Sequence, residues 1–379
     1  MKLRFDATVE AVRGWVAGGG AYPIGLQLGR EQLSLVQMQR TAAGPPAFRA
    51  AAALDYGCSR DELLADPRRL KALMARARAT QPFRGRRVVA CMPEDKVKIL
   101  LVNFAVAEGQ SEQEAIVREV RERIKSNSEG TVLDYLLVRG EDPVGRQREA
   151  IVALAARKQV TAYLDLLAGA GLLVKALDIG PMALTRVVSW VDQPGADAPP
   201  NMLLINFGSL ASYLTVVWGR RLMLDRGIDF SEQRLLAKVA SLLEVPELEA
   251  KRLLLDQGFA TANGPGGSNE LGATLREVLR GEFGRLGAEV SKTMIYTASK
   301  SRGSTVERIY VTGGITRYPG ICELLGELLS MPVEVLNPFS IFPHRMKEEY
   351  LARLSPRSRL ALPTGLALRS VKTVWPNST

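Results

Sequence analysis

Residues 24–38 read IGLQLGREQLSLVQM, and residues 203–217 read LLINFGSLASYLTVV. Each stretch consists of an apolar strand, a polar residue two positions before a glycine, a short turn and a second apolar strand. The glycines, Gly29 and Gly208, allow the turns to tighten so that backbone N–H groups can face a phosphate. This repeat predicts a phosphate-binding hairpin in each of two lobes.

A third segment favours the same kind of ligand. Residues 309–312, which read IYVT, predict a strand that runs into Gly313 and Gly314 and then into a helix. Glycines at this turn allow a flat nucleoside to approach closely, because no side chain blocks the ring. Two hairpins and a glycine turn together predict one nucleotide site between two lobes.

The composition is that of a globular protein large enough for two lobes, with 379 residues of which 46% are hydrophobic. No apolar run approaches the roughly 20 residues of a membrane helix, and the first residues do not resemble a signal peptide. Cys58, Cys91 and Cys322 are far apart, which favours reduced thiols over disulfides or a metal cluster. The one histidine, His344, is expected in a loop or at the surface.

The net charge is +10, and acids are mixed with bases in stretches such as REVRERIKSNSE at 118–129. We interpret this charge as dispersed, and since no nucleic-acid-binding motif is present, we expect no nucleic acid as a partner. Weak attraction to an anionic membrane surface is the expected use of the excess.

The N-terminal residues 1–20 precede the first strand. Apolar residues at helical spacings predict either a membrane-interfacial helix or a helix docked on its own domain; they are Phe5, Val9, Val12, Trp15 and Val16.

An inserted αβ unit is predicted between the two parts of the first lobe. It has a strand at 96–104, a helix at 112–127 that follows the capping-box pair Ser111 and Glu114, and strands at 132–138 and 149–157. Elsewhere, the sequence predicts a lobe boundary at 192–201, a flexible loop at 261–269, and helices at about 61–80, 231–256 and 270–300.

In this order of elements the chain resembles the actin-like ATPase superfamily, and within it the PilM family of type IV pilus assembly, to which FtsA is related. The stretches that carry the resemblance are SEQEAIVREVRERI with VLDYLLV, AARKQVTAYLDLLAGAGLLVKALDIGPMAL, IYVTGGITRYPGICELL and GLALR. The resemblance implies an α/β, two-lobed actin-like (ribonuclease H-like) ATPase fold with a small αβ subdomain inserted in the first lobe. The implied divisions are an N-terminal extension at 1–21, a first lobe at 22–93 and 172–198, the inserted subdomain at 94–171, a second lobe at 199–360 with its helical part at about 231–304, and a closing helix and tail at 361–379.

The resemblance also implies which residues would hold ATP with Mg²⁺. They are Gln27 and Gly29 in the first phosphate loop, Asn206, Gly208 and Ser209 in the second, and Gly313 and Gly314 in the adenosine loop.

Several residues depart from the family pattern. Gln27 and Asn206 are amides where relatives have aspartates, and Arg30 and Glu31 replace small hydroxylated residues. Other departures are Ser231-Glu232 in place of Gly-Gly and Leu254 at an adenosine-contacting lysine position. Hydrolysis needs charge to hold a metal and a group to place water, so we expect no catalytic residues, no protein metal site and doubtful ATP binding. The remaining acids considered, Asp178, Asp225 and Asp229, have simpler turn or capping roles.

The favoured function is a non-enzymatic scaffold at the cytoplasmic face of the inner membrane. As the resemblance implies, the partner is the N-terminal tail of a PilN-like bitopic protein, held between the first lobe and the inserted unit, with the strand at 96–104 as a candidate wall. The departures from the family pattern also fit a paralogue in a related system, such as a mannose-sensitive-type pilus or a type II secretion platform. The alternatives are an active ATPase or kinase of the same fold, and an FtsA-like, self-associating filament protein.

Overall fold

The computed structural model describes residues 20–42, 44–124, 130–138, 147–191, 200–259, 270–301 and 304–371. The predicted N-terminal helix, the predicted loop at 261–269 and most of the predicted boundary at 192–201 lie outside the described residues.

Thirteen strands lie within the described residues: β1 Ala21–Leu28, β2 Gln32–Gln39, β3 Ala47–Asp55, β4 Arg87–Cys91, β5 Lys98–Ala105, β6 Thr131–Leu137, β7 Gln147–Ala156, β8 Leu173–Asp178, β9 Met202–Phe207, β10 Ser212–Trp218, β11 Arg221–Ile228, β12 Arg308–Gly313 and β13 Val333–Val335. The described α-helices are α1 Arg60–Ala65, α2 Pro67–Thr80, α3 Glu112–Ile124, α4 Arg157–Gly169, α5 Gly180–Val188, α6 Glu232–Leu243, α7 Glu247–Asp256, α8 Glu270–Lys300, α9 Ile321–Leu329, α10 Pro338–Ile341, α11 Glu348–Ala352 and α12 Ala361–Ala367.

Two five-stranded sheets share one topology. The strand order is β3-β2-β1-β4-β8 in the first sheet and β11-β10-β9-β12-β13 in the second. In each sheet, the first three strands along the chain are antiparallel neighbours, and the last two lie parallel to the first. The two quoted hairpins are therefore equivalent elements, β1–β2 and β9–β10, of two sheets with the same topology.

A third sheet, in the antiparallel order β5-β7-β6, lies in sequence between β4 and β8. Because β8 returns to pair with β4, the third sheet is an insertion in the first lobe, as predicted. Helix α3 covers this sheet with the stripe Ile116 and Val120. The inserted unit also reaches the second lobe, since Leu101 of β5 packs with Leu222 of β11, and Lys300 Nζ of α8 donates to Glu149 Oε1 of β7 at 2.6 Å.

Two predicted single helices are each divided. The helix predicted at 61–80 breaks at Asp66, which accepts a hydrogen bond from Arg68 N at 2.9 Å and is followed by Pro67 at the first position of α2. The helix predicted at 231–256 breaks at Glu244, in the left-handed conformation, and at Pro246. Local capping thus ends these helices although their apolar periodicity continues.

The predicted closing helix is α12, and every residue of it is buried. It crosses α5 so closely that a Cβ at Gly365 would lie 1.8 Å from the carbonyl oxygen of Ala183, and it lies against β1, where a Cβ at Gly25 would lie 2.0 Å from Pro363 O. The segment before it also contacts the first lobe, because Tyr350 Oη donates to Ala51 O at 2.7 Å. The C-terminal part of the chain therefore completes the core of the first lobe.

Candidate functional site

A cleft of about 400 Å³ lies between the two five-stranded sheets. The structure brings all of the predicted nucleotide residues to its lining: Gln27, Gly29, Asn206, Gly208, Ser209, Gly313 and Gly314. They converge because the β1–β2 turn and the β9–β10 turn lie at equivalent ends of two sheets with the same topology. Strand β12 runs parallel to β9 and therefore ends beside the β9–β10 turn.

The first hairpin turn is closed on itself. Gly29 N donates to Gln32 O at 3.0 Å, and the Gly29 carbonyl accepts from Tyr56 Oη at 2.9 Å. The glycine N–H that would face a phosphate is therefore already engaged. Next to it, Glu31 reaches across the cleft to Lys251 of α7, with 4.0 Å between the carboxylate and ammonium groups.

The second hairpin turn is joined to the start of α6. The Gly208 carbonyl accepts from Glu232 N at 3.4 Å, and the Ser209 carbonyl accepts from Gln233 N at 3.2 Å. Ser231 Oγ caps the helix by accepting from Arg234 N at 3.2 Å. The first N–H groups of α6 are thus satisfied by the protein itself.

The glycine turn after β12 is covered by a carboxylate. Gly313 has φ 98°, and a Cβ there would lie 2.1 Å from Phe207 O, so only glycine fits. Above the next residue, a Cβ at Gly314 would lie 2.7 Å from Oε2 of Glu232. This carboxylate accepts hydrogen bonds from Arg317 and from Tyr318 Oη, the latter at 2.6 Å. Glu232 therefore occupies space in which the sequence predicted a nucleoside.

The position that corresponds to the family's adenosine-contacting lysine does not line the cleft. Leu254 is fully buried in the core of the second lobe. Ser212, the first residue of β10, is also fully buried and is not among the residues that line the cleft.

Sequence reasoning missed several charged residues of the cleft. Glu94 follows β4 and Pro93, and its Oε2 lies 3.7 Å from the position of a Cβ on Gly208. Although Glu94 keeps contact with solvent, burial against the cleft walls raises the pKa of its carboxyl group. Arg60 Nη1 donates to Asp95 Oδ1 at 3.1 Å on the same side. The signal that could have found them is a Pro-Glu-Asp run at the end of a buried strand.

Arg359 is a further missed cation of the cleft. Its Nη1 donates to Gln32 Oε1 at 3.0 Å, next to the first hairpin turn. Burial lowers the pKa of Arg359, and the neighbouring charge of Arg317 acts in the same direction. The cleft therefore contains acids and bases that come from segments far apart in sequence.

A smaller cavity of about 80 Å³ lies beside the cleft, and both Glu94 and Asp225 line it. Asp225 is 7% exposed, and its Oδ1 accepts from Thr215 Oγ1 at 2.6 Å. Burial raises the pKa of Asp225 to about 7, and the charge of Glu94 adds to this effect. Within the described residues, no group of three or more His, Cys, Asp or Glu side chains is arranged to hold a metal ion.

The other two acids considered from sequence have different surroundings. Asp178 is buried and accepts from Arg186 Nη1 at 2.7 Å, and Arg369 Nη1 lies 2.8 Å from the same carboxylate. It also accepts from Ile179 N at 2.9 Å, so a turn role describes only part of its contacts. These arginines hold the pKa of Asp178 below its usual value in spite of burial. Asp229 is exposed and paired with Arg234.

A second feature is a groove between the inserted sheet and the first lobe. Its lining is mostly apolar: Met92, Val97, Val132, Asp134, Ala153, Leu154, Ala155, Val160, Leu177, Asp178 and Ile179. The strand predicted at 96–104 contributes only Val97. One face of β5 packs against β11 of the second lobe and its other face packs against α3, so neither face lines the groove. Strands β6 and β7 form the wall in its place.

Comparisons with known proteins agree with this architecture. The family model described as type IV pilus assembly protein PilM matches residues 25–371. Among solved structures, the chain is similar to a chain of the PilM–PilN type IV pilus biogenesis complex, with TM-score 0.72 and 22% identity over 93% of this chain and 99% of that chain. It is also similar to ethanolamine utilization protein EutJ from Carboxydothermus hydrogenoformans, with TM-score 0.52 and 16% identity over 92% of this chain and 89% of that chain.

The likeness to these structures confirms the two-lobed actin-like fold expected from the sequence. No curated protein sequence matched the chain. None of the helices in the described ranges is long and apolar enough to cross a membrane.

Proposed function

This chain belongs to the family of the type IV pilus assembly protein PilM, and we propose that it is a non-hydrolysing scaffold of a pilus assembly platform. In this proposal it lies at the cytoplasmic face of the inner membrane and holds the N-terminal tail of a PilN-like bitopic protein. The observation that carries the proposal is the apolar groove between the inserted sheet and the first lobe.

The groove suits an extended peptide. Its walls come from β6 and β7 on one side and from the ends of β4 and β8 on the other. Strand β6 is an edge of its sheet, and all of its residues are partly exposed, so its backbone and its side chains are both accessible. An extended peptide binds such an edge through main-chain hydrogen bonds and places alternate side chains in apolar pockets. The fold likeness to a chain that was solved in a PilM–PilN complex supports the same class of partner here.

The groove can be tested with one valine on each side of the inserted unit. Val132 lines the groove, whereas Val117 lies on the outer face of α3, and both are partly exposed. Val132→Arg places an unpaired cation in an apolar wall, so we expect at least about tenfold weaker binding, the equivalent of 1.4 kcal/mol. Val117→Arg is the control and should bind normally.

The measurement is calorimetric titration with the cytoplasmic N-terminal peptide of a PilN-like bitopic protein from the same organism. No heat of binding with the unsubstituted protein would contradict the partner. An equal loss of affinity in both variants would contradict the groove as the binding site.

The geometry of the cleft supports the absence of hydrolysis. Gln27 and Asn206 supply no charge to hold Mg²⁺, the Gly29 N–H is engaged by Gln32, and Glu232 covers Gly314. The residues present therefore fit Mg²⁺–ATP poorly, and no reaction step is assigned to the cleft.

Phosphate release from ATP in the presence of Mg²⁺ tests this part separately. We expect no turnover above the rate of a protein-free control. Turnover that disappears in Glu94→Gln would contradict the proposal, because Glu94 is the carboxylate in the cleft closest to the second hairpin glycine.

A further inference from the structure

One segment of the chain carries most of its net positive charge. Residues 67–87 contain eight of the 50 Lys and Arg residues and none of the 40 Asp and Glu residues. Outside this segment, 42 bases face 40 acids, so the rest of the chain is nearly neutral. The expectation of a dispersed charge was wrong for this part of the molecule.

All eight cations are exposed, and together they are called the basic face: five lie on α2, two lie in the loop that follows it, and one is the first residue of β4. Helix α2 buries the stripe Leu70, Leu73, Met74 and Ala77 against the first lobe, so that its remaining positions face solvent. The residues of the basic face are Arg68, Arg69, Lys71, Arg76, Arg78, Arg84, Arg86 and Arg87, and each is exposed.

Hydrogen bonds join the helix and the loop into one surface. Arg78 Nη2 donates to Gly85 O at 3.0 Å, and Arg49 Nε donates to Pro82 O at 3.1 Å from the adjacent end of β3. Burial and the neighbouring charge of Arg84 lower the pKa of Arg49, so the cations crowd one another here. Helix α2 has 14 residues and thus spans roughly 21 Å at 1.5 Å per residue.

The basic face has little acid to neutralise it. In the part of the chain that the structure describes, only Arg69 among its eight residues forms an ion pair, with Glu62 and Asp66 at 3.9 Å each. Exposed cations with few acidic partners repel one another in the isolated protein and attract a polyanionic partner.

We propose that the basic face binds the anionic phospholipid headgroups of a membrane surface. Between its cations lie the exposed alanines Ala72, Ala75 and Ala79, which allow the helix to approach a plane closely. No exposed aromatic residue lies in the segment, since Phe83 is buried, so bases of a nucleic acid find nothing to stack on. A lipid leaflet presents many phosphates side by side and suits exposed cations that surround no specific pocket.

This contact goes beyond the proposed function, because it requires neither the peptide groove nor the partner. Each basic residue close to an anionic leaflet strengthens binding by about fivefold. Binding should also weaken as salt is added, because the Debye length falls from about 10 Å at 0.1 M to about 3 Å at 1 M.

The test is co-sedimentation of the full chain with vesicles of phosphatidylcholine alone or mixed with phosphatidylglycerol. The test variant is Arg68→Glu with Arg76→Glu and Arg86→Glu. The control variant reverses three exposed cations of the second lobe, Lys238, Arg252 and Arg280, and therefore lowers the net charge equally. We expect the unsubstituted protein and the control to bind the mixed vesicles only, and the test variant to bind at least about a hundredfold more weakly.

Circular dichroism and thermal melting check that each variant folds, and Arg→Gln at the same three positions serves as the test variant if reversal prevents folding. Equal loss in the test and control variants would overturn the proposal, since net charge alone would then explain binding. Binding to phosphatidylcholine alone, or no binding to mixed vesicles, would do the same. The proposal would also be overturned by tighter binding to a DNA duplex that depends on the same arginines. Vesicle binding that is lost in Phe5→Ala with Trp15→Ala but kept in the test variant would overturn it as well.

Discussion

Asp225→Asn should stabilise the protein at neutral and alkaline pH but only weakly in mild acid. Asp225 is buried beside Thr215, and burial raises the pKa of its carboxyl group from 3.8 to about 7. The folded state therefore binds this proton more tightly than the unfolded state does. Its contribution to the free energy of unfolding consequently falls as pH rises between the two pKa values, and stays low above about pH 7.

The size of the effect follows from this shift. Three pKa units correspond to about 4 kcal/mol at 1.36 kcal/mol per unit, which the unsubstituted protein loses in full above about pH 7. Asparagine has no proton to lose and can still accept from Thr215 Oγ1. We therefore expect the stability gain of Asp225→Asn to grow by about 2 to 3 kcal/mol between about pH 5 and about pH 8.

Urea unfolding at these two pH values, followed by circular dichroism, measures the gain. Asp229→Asn is the matched control, because that carboxyl group lies four residues away with a side chain 86% exposed, and its effect should stay below about 1 kcal/mol. A gain of the same size at both pH values would refute the reasoning.

Further predictions concern packing and charge. Gly365→Ala should lower the thermal midpoint strongly, because its Cβ meets Ala183 O at 1.8 Å, whereas Gly281→Ala in α8, with nothing within 4 Å, should raise stability by about 0.5 to 1 kcal/mol. Asp178→Ala leaves Arg186 and Arg369 without their shared carboxylate and should lower the free energy of unfolding in urea by about 3 to 5 kcal/mol. Because the fold lowers the pKa of Asp178, the stabilisation by this carboxylate should be lost as pH falls through the folded-state pKa. A variant as stable as the parent would contradict the ion pairs. Glu94→Gln should lower the pKa of Asp225, measured by NMR titration, because the charge of Glu94 raises it; an unchanged value would mean that the two carboxyl groups are not coupled.

Local sequence patterns predicted the secondary-structure elements better than the contacts between them. The hairpin glycines and the Gly313-Gly314 turn were recognised because backbone geometry at a glycine is decided within a few residues. The position of Glu232 over that turn was not predicted, since Glu232 and Arg317 are 85 residues apart in sequence and are in contact only in the folded chain. Glu94 was missed for the same reason.

Charge shows the same limit. The mixed acids and bases at 118–129 suggested a dispersed charge. The segment 67–87, which contains arginines and a lysine between apolar residues and no acids, was visible in the sequence but was not recognised. Its significance depends on which side of α2 is buried, because the Leu70 and Leu73 stripe turns all the arginines outward. Periodicity could predict that stripe, but not that the helix breaks at Asp66 or that residues 84–87 extend the basic face.

The position of α12 has a consequence for how the protein is made. Ribosomes release the chain from its N-terminus, so the strands β1 to β4 emerge long before residues 361–367, which fill the space beside Gly25 and Ala183. The first lobe to be synthesised is thus the last to be completed, and its apolar surface stays open while the second lobe folds. Nascent chains that stop before α12 should be substrates for chaperones and proteases, and a C-terminal truncation should harm the N-terminal half of the molecule most.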